Sequence, residues 1–449
     1  MKLTIGERLC YGCGDLGSQF AYNLVTTYLM IFFTDILGLS SVAAGTIFLI
    51  ATAFDAINDP VMGSIADHTK TKRGSYRPYM MAAAIPYGIF LALCFVAPEW
   101  SYGGKLAWAY VMYLLYVVFS TMFQMPYGSL SNVMTDGIKE RTILGAFRDW
   151  GANLAGFLLN MFAVTIITRF SVDGQSMDKK GYLALGIVIA VCCVLFTLIA
   201  ALGTKERIRP PKNTAKFSES LKSIAHNKPA LCILFMVFFI NSFVAFRSTF
   251  TTYYALYYLG SENMIPVILT TMYTLPLLGL LFVPKLIELI GNKRMFMISG
   301  LCAIISGAIS LLAGSNTILI VLSAIFGGLT LSGVFANIWG CMPNVADYGE
   351  WKTGIRAPGL IYGLATFAIK LAVALSTYLV GWILDWGGYA GTEDIQAEST
   401  VQFIYMANGI LPIVFGIIGI VMILPYDLTH EKMGEIKEEL TKQRGLIRE

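Results

Sequence analysis

Apolar runs long enough to cross a membrane recur along the whole chain. A membrane helix needs roughly 20 consecutive apolar residues to cross ~30 Å of hydrocarbon. Hydrophobic residues make up 56% of the chain, charged residues only 13%, and the mean hydropathy is +0.66. A membrane β-barrel would instead show weakly alternating segments of ~10 residues. The sequence therefore predicts an all-α, multi-pass membrane protein.

The apolar runs predict twelve transmembrane helices. With the N-terminus inside, the external segments contain only Lys105, Arg169, Lys179 and Lys180 of the 32 Lys and Arg residues. The positive-inside rule then places both termini in the cytoplasm of a cell-membrane protein. The predicted spans are residues 9–38, 41–67, 78–98, 105–133, 143–168, 182–203, 229–260, 264–284, 295–314, 317–346, 359–386 and 401–425.

A basic segment divides these spans into two sets of six. Residues 1–203 form the first predicted bundle, residues 204–228 a cytoplasmic linker, and residues 229–425 the second bundle. Residues 426–449 follow as a cytoplasmic tail helix. Two six-helix halves are typical of the major facilitator fold, in which the substrate site lies near the midplane between the halves.

Two acidic residues lie inside the second span. An ionised side chain at the centre of a bilayer costs about 2.5 to 3.5 kcal/mol, so it needs a compensating role. Asp55, Asn58 and Asp59 project from one face of the helix, where their oxygens can bind a small cation or a proton. The alternative is that both acids only form ion pairs between helices. Their positive counterparts within spans are Arg148, Arg247 and Lys370.

Several separated motifs resemble one transporter family. They are Gly14-Asp15-Leu-Gly17, Thr34-Asp35, Asp55-Ala-Ile-Asn58-Asp59-Pro60, Lys72-Arg73-Gly74-Ser-Tyr-Arg77-Pro78-Tyr, Met125-Pro126-Tyr127-Gly128-Ser129-Leu130, and Asp347-Tyr348-Gly349-Glu350-Trp351-Lys352 after span ten. Together they resemble the glycoside–pentoside–hexuronide:cation symporters, the melibiose-permease family of the major facilitator superfamily. The resemblance extends over nearly the whole chain.

The resemblance implies symport of a sugar or glycoside with Na⁺ or H⁺ by alternating access. It implies a cation site of Asp55, Asn58, Asp59 and Thr121. Lys370 and Gln124 are expected near this site, and Arg148 at the sugar. No cofactor is expected beyond the coupling ion, and the expected partners are the sugar and membrane lipid, with no nucleic acid. We expect a monomer.

The sequence differs from melibiose permeases in two ways that affect which sugar we expect it to bind. Gln19 and Gln124 stand where those permeases have acids that bind galactoside hydroxyls, and Gly128 stands where they have an aromatic residue. Amides still bind hydroxyls, and an Arg fork pairs with carboxylates, so we expect a xyloside, glucoside or hexuronide such as a β-glucuronide. The candidate substrate-binding residues are Gln19, Asn23, Gln124, Arg148, Arg247 and Trp339. Trp339 and Tyr127 are each interpreted equally well as a surface for sugar stacking or as helix packing.

Closure on the cytoplasmic side is expected to use ion pairs, although ordinary loop charge is an equal alternative. The residues concerned are Asp67, Arg73, Arg141, Asp347, Glu350 and Arg356. A carrier of lysolipids or other amphiphiles on the same fold is the alternative function. A membrane enzyme or receptor is disfavoured, because no metal-binding, nucleophile-elbow or phosphate-loop motif accompanies the spans.

Overall fold

The computed structural model describes residues 3–69, 71, 74–135, 138–174, 176–208, 223–354, 358–391 and 395–443. Within these ranges the chain is built from helices and their connections, and β-structure is limited to one bridge between Thr71 and Gly74. The predicted all-α class is confirmed.

Thirteen α-helices lie in the described part of the chain. Two π-helical segments, Val25–Leu29 and Phe32–Ile36, prolong the first helix, and a third, Tyr254–Tyr258, prolongs the seventh. The helices are α1 (Ile5–Leu24), α2 (Ser41–His68), α3 (Arg77–Leu93), α4 (Tyr102–Met134), α5 (Ile138–Phe170), α6 (Lys179–Gly203), α7 (Lys228–Tyr253), α8 (Met264–Ile290), α9 (Asn292–Ala313), α10 (Thr317–Thr353), α11 (Pro358–Trp386), α12 (Glu398–Ile423) and α13 (His430–Gln443).

Nine helices of the described chain are long and apolar enough to cross a membrane, namely α2, α4 to α7 and α9 to α12. The polytopic membrane class is thereby supported, whereas the count of twelve spans stays a prediction. Helix α8 contributes a shorter apolar stretch, Met264–Gly279.

Helix α10 extends beyond predicted span ten, which ends at residue 346. The motif from Asp347 to Lys352, predicted to follow this span, lies in the last turns of the same helix. Helix α10 continues to Thr353 and ends at Gly354, whose φ of 72° is the left-handed conformation that favours glycine. The helix passes through Pro343 and Gly349 and ends only at Gly354, so the charged motif is helical.

The chain divides into two compact units. Unit 1 comprises Met1–Pro211, Ser248–Tyr273 and Thr377–Ile404, and within it α1 packs on α5 and α6, α2 on α4, and α3 on α4 and α6. Unit 2 comprises Lys212–Arg247, Thr274–Ser376 and Tyr405–Glu449, and within it α10 packs on α9 and α13. The proposed halves, residues 1–203 and 229–425, stay a prediction.

Glycines set the close approach of α1 and α5. A Cβ atom at Gly151 would lie 2.6 Å from the carbonyl oxygen of Gly12, and one at Gly12 would lie 2.8 Å from the carbonyl oxygen of Phe147. Membrane helices that approach so closely require small residues at the interface. These glycines hold together the two helices that carry Asp15 and Arg148.

The ends of α3 and α6 are joined by two opposite charges. The carboxylate of Glu206 accepts from the backbone N–H groups of Ser75, Tyr76 and Arg77 at 2.8 to 2.9 Å. Arg77 Nε donates to the carbonyl oxygen of Ala201, 2.8 Å away, in the last turn of α6. An anion at a helix N-terminus and a cation at a C-terminus both oppose the helix dipole favourably.

The tail contains the predicted amphipathic helix. Met433, Ile436 and Leu440 lie on one face of α13 and are buried, and Trp351 of α10 donates from its indole N–H to Glu439. The position of α13 on the cytoplasmic side stays a prediction.

Candidate cation and sugar site

Two carboxylates of α2 converge on one hydroxyl of α4. Thr121 Oγ1 lies 2.9 Å from Asp55 Oδ1 and 3.0 Å from Asp59 Oδ1. Asp55 and Thr121 are buried and Asp59 is half-buried. Three members of the predicted cation site therefore lie together, within unit 1.

The local sequence explains this convergence. Asp55 and Asp59 are four residues apart, so they lie one above the other on α2. Pro60 lies inside the helix and has no N–H, so the carbonyl oxygen of Ala56 loses its usual helical donor. Asn58 is half-buried, and its Nδ2 has no hydrogen-bond partner among the described residues. Oxygen-rich surroundings of this kind suit a small hard cation or a proton.

Across the described residues there is no group of three or more His, Cys, Asp and Glu side chains that could hold a metal ion. What the site offers is two carboxylates and a hydroxyl.

Arg148 of α5 is held by α1 and α4. Its Nε donates to Asp15 Oδ2, 3.2 Å away, and its guanidinium carbon lies 5.5 Å from the centre of the Tyr127 ring. The side chain of Asp15 is 8% exposed, whereas that of Arg148 is 42% exposed. The guanidinium is therefore anchored by Asp15, while part of the Arg148 side chain is exposed.

Tyr127 packs helices together. It is only 1% exposed, its ring stacks on Tyr11 at 4.9 Å between centres, and its hydroxyl donates to the Tyr11 carbonyl oxygen at 2.7 Å. A Cβ atom at Gly14 would lie 2.4 Å from this ring. Of the two interpretations of Tyr127, helix packing is the one that its burial supports.

The polar residues of α1 and α4 differ in how much surface they leave for a sugar. Asn23 is buried, donates to the carbonyl oxygen of Gln19 at 2.7 Å, and accepts from the hydroxyl of Tyr273 at 3.1 Å. Gln19 and Gln124 are half-buried. The two glutamines therefore offer more surface than Asn23, which would have to exchange its bond to Tyr273 for a sugar hydroxyl.

Three predicted residues belong to unit 2. Arg247 of α7 is 2% exposed and donates to Asn408 Oδ1 of α12 at 3.1 Å, so it joins two helices and presents little surface to a substrate. Lys370 lies on α11 and is half-buried. Trp339 lies on α10, but its side chain is outside the described residues. Roles for these three residues stay predictions.

The predicted cytoplasmic gate is described only in part. Arg141 donates to the carbonyl oxygens of Thr135 and Asn132, at 3.0 and 3.2 Å, at the end of α4. Asp347 and Glu350 lie on α10. Arg73, Arg356 and the side chain of Asp67 lie outside the described residues. Their assembly into a gate stays a prediction.

Further ion pairs lie near the N-terminal ends of α1 and α5, where we predicted no contact from the sequence. Arg8 pairs with Glu140 at 2.9 Å, and Arg207 pairs with Glu7. Burial acts to raise the pKa of Glu7, but hydrogen bonds from Arg207 and Thr4 outweigh it and hold that pKa below its usual value. Glu7 thus stays ionised and fastens the start of α1.

Two further acids were missed as site residues. Asp15 is the partner of Arg148, and Asp35 accepts from Thr34 at 2.6 Å, from Tyr257 at 2.6 Å and from Tyr389. Both acids stand in motifs that carried the family resemblance, Gly14-Asp15 and Thr34-Asp35. The signal was present in the sequence, but the partners come from distant parts of the chain.

Most of the chain matches a known protein family. Residues 10–430 match the model of the family described as MFS/sugar transport protein. The chain belongs to this family.

Individual relatives agree with the family. The isoprimeverose transporter of Lactiplantibacillus pentosus is 31% identical over 89% of this chain and 84% of its own length. The glucuronide carrier protein homolog of Escherichia coli (strain K12) is 27% identical over 97% of this chain and 95% of its own. Among solved structures, a D-xylose-proton symporter superposes with a TM-score of 0.65 at 14% identity, over 93% of this chain and 96% of that one.

These findings confirm the main functional predictions. The resemblance to glycoside–pentoside–hexuronide symporters and the major facilitator fold are confirmed. The protein is a multi-pass membrane transporter of the sugar-symporter class and not an enzyme.

Proposed function

We propose that this protein couples uptake of a glycoside to Na⁺ or H⁺ at a site formed by Asp55, Asp59 and Thr121. The observation that carries the proposal is the convergence of both Oδ1 atoms on Thr121 Oγ1, at 2.9 and 3.0 Å. In this proposal the protein acts as a monomer and has both termini in the cytoplasm.

The hydrogen count at Thr121 supports a positive charge there. A hydroxyl has one hydrogen, so Thr121 can donate to only one carboxylate at a time. The carboxylate that does not accept this hydrogen can take up a proton or bind Na⁺ through the oxygen that it directs at the hydroxyl.

Coupling follows from linkage. If a bound cation raises the affinity for sugar by some factor, sugar must raise the affinity for the cation by the same factor. Arg148, with Gln19 and Gln124, supplies the sugar contacts in this proposal, and the two halves rock about the site to expose it to each side in turn.

The substrate class follows from the donors present and from the relatives. Amides and a guanidinium bind hydroxyls, and the relatives' names include isoprimeverose and glucuronide. We infer a xyloside, glucoside or hexuronide rather than a galactoside.

The proposal is tested with purified protein in liposomes. Uptake of labelled xylosides, glucosides, β-glucuronides and melibiose is measured under an imposed Na⁺ gradient and, separately, an imposed H⁺ gradient. Concentrative uptake of one of the first three under one gradient supports the proposal. Uptake of melibiose alone, or uptake of lysolipid without sugar, would contradict it.

The first prediction concerns the cation site. Asp55→Asn and Asp59→Asn each remove a carboxylate that the coupling ion needs, so concentrative uptake should be lost. Exchange of labelled for unlabelled sugar should partly remain, because the sugar contacts are intact. If both variants still accumulate sugar against its gradient, the cation assignment is wrong.

A further inference from the structure

Asp15 is a buried carboxylate that the proposed transport cycle does not yet use. Its Oδ2 accepts from Arg148 Nε at 3.2 Å, and its Oδ1 lies 3.4 Å from the hydroxyl of Ser18. With only 8% of the Asp15 side chain exposed, its contact with a ligand is restricted. What Asp15 can do is act through Arg148.

Arg148 is held in place and remains available. Asp15 accepts the hydrogen bond from Nε, the Tyr11 hydroxyl contacts the guanidinium as well, and the terminal nitrogens carry further N–H donors that a ligand can use. The Tyr127 ring, fixed by its own bond to the Tyr11 carbonyl oxygen, lies against the guanidinium. The open part of the fork therefore has a defined orientation.

The charge around Arg148 is not that of an anion site. One guanidinium faces Asp15 in an ion pair, so the pair has no net charge. Asp149, the next residue of α5, adds a second carboxylate and is half-buried. An ionised sugar acid approaching Arg148 would meet these two negative groups, whereas a neutral sugar would only need the open N–H donors.

We propose that Asp15 sets the substrate charge accepted at Arg148: while Asp15 is ionised and paired, the protein takes neutral glycosides and rejects hexuronides. Asp15 is thus a positioning and selectivity residue. This proposal rests on the proposed function, in which Arg148 contacts the sugar, and it narrows the substrate class to xylosides and glucosides.

The test compares two substrates that differ only in the carboxylate. Liposomes containing the full chain are assayed with a β-glucoside and the β-glucuronide of the same aglycone, and KM and maximal rate are measured for each. The wild type should favour the glucoside. Asp15→Asn leaves Arg148 without its charge partner, so the ratio of the two KM values should move toward the glucuronide by about tenfold, the change expected for one charge-assisted pairing.

Asp149→Asn is the matched control. It removes one of the two negative charges but leaves the bond between Arg148 and Asp15 in place, so its KM ratio should move toward the glucuronide by clearly less than that of Asp15→Asn. Asp15→Glu keeps a carboxylate and should restore the preference for the glucoside. A purely structural role for Asp15 would lower both maximal rates and leave the KM ratio unchanged.

Three outcomes would overturn the inference. One is a wild type that prefers the glucuronide, which is decisive even if Asp15→Asn does not fold. The second is an equal shift of the KM ratio in the Asp15→Asn and Asp149→Asn variants, and the third is an unchanged ratio in Asp15→Asn. Failure of the proposed function would look different, since the wild type would then accumulate neither substrate under either gradient.

Discussion

At the scale of single residues, the acids Asp15, Asp55 and Asp59 each have a polar or charged partner that offsets the cost of a charge inside a membrane. An isolated ionised side chain at mid-membrane is unfavourable by several kcal/mol. Asp15 is offset by Arg148, while Asp55 and Asp59 share the hydroxyl of Thr121. Asp15 and Arg148 form an ion pair, whereas Asp55 and Asp59 direct two carboxylate oxygens at one hydroxyl, and we propose that the coupling ion binds there.

Thr121→Val should weaken ion binding. The valine side chain has nearly the same shape but lacks the hydroxyl, and a hydrogen bond to a charged group is worth about 1.5 to 3 kcal/mol. The concentration of coupling ion that gives half-maximal uptake should therefore rise roughly tenfold or more. The measurement is sugar uptake at graded Na⁺ concentration or pH.

Thr121→Ser and Thr197→Val are the controls for this prediction. Serine keeps the hydroxyl and should behave like the wild type. The hydroxyl of Thr197 donates to the Cys193 carbonyl oxygen of its own helix, so its removal should leave the ion dependence unchanged. An unaltered ion dependence in Thr121→Val would remove Thr121 from the site.

At the scale of helices, small residues decide where the site residues meet. Asp15 and Arg148 are brought together because α1 and α5 approach closely at Gly12 and Gly151. Hydrophobic periodicity cannot predict a pairing of this kind, because it indicates which face of a helix is buried but not which other helix packs against that face.

Gly151→Ala should push α1 and α5 apart. Its Cβ atom would lie 2.6 Å from the backbone oxygen of Gly12, which cannot move aside as a side chain can. Overpacking of this sort costs about 1 to 3 kcal/mol. We expect a lower thermal unfolding temperature in detergent and a higher KM for sugar, because the bond from Arg148 to Asp15 lengthens.

Gly145→Ala is the control on the same helix. A Cβ atom there meets nothing within 4 Å, so stability and KM should match those of the wild type. If both alanine variants unfold at the wild-type temperature, the close approach of α1 and α5 does not depend on Gly151.

At the scale of the whole molecule, unit 1 contains a second polar cluster, formed by Thr34, Asp35, Tyr253, Tyr257 and Tyr389. Tyr253 contacts the Thr34 hydroxyl at 3.0 Å, and the hydroxyls of Tyr257 and Tyr389 lie 3.0 Å apart. The cluster joins the end of α1 to the end of α7 and to the connection between α11 and α12. In the proposed topology, with both termini in the cytoplasm, these ends face outside, and the proposed alternating access requires them to separate.

Tyr389→Phe should favour opening on the external side. It removes one hydrogen bond to the Asp35 carboxylate, worth about 1.5 to 3 kcal/mol, from the closed arrangement. A cysteine introduced at Gln19 in a cysteine-free background should then react roughly tenfold faster with an external, membrane-impermeant maleimide. Tyr102→Phe, whose hydroxyl contacts only the exposed Ser40 among the described residues, should not change the rate. Equal rates in the two variants would show that the cluster does not control access.

The sequence by itself determined the all-α membrane class and placed Asp55 and Asp59 together on one helix. Long apolar runs leave a membrane chain little choice but helices, and acids four residues apart must share a helix face. It could not place α10's end, since a charged helical extension and a charged loop have the same composition.

Only the tertiary structure decided the partners. The bond between Asp15 and Arg148 joins residues 133 positions apart in the chain, and the contact between Tyr389 and Asp35 spans 354. Such pairings depend on which helices pack together and on how closely they approach. Contacts between backbone atoms and glycines of different helices determine both. From the sequence alone, Arg148 is a cation that could bind a sugar acid. The tertiary structure shows it in an ion pair with Asp15.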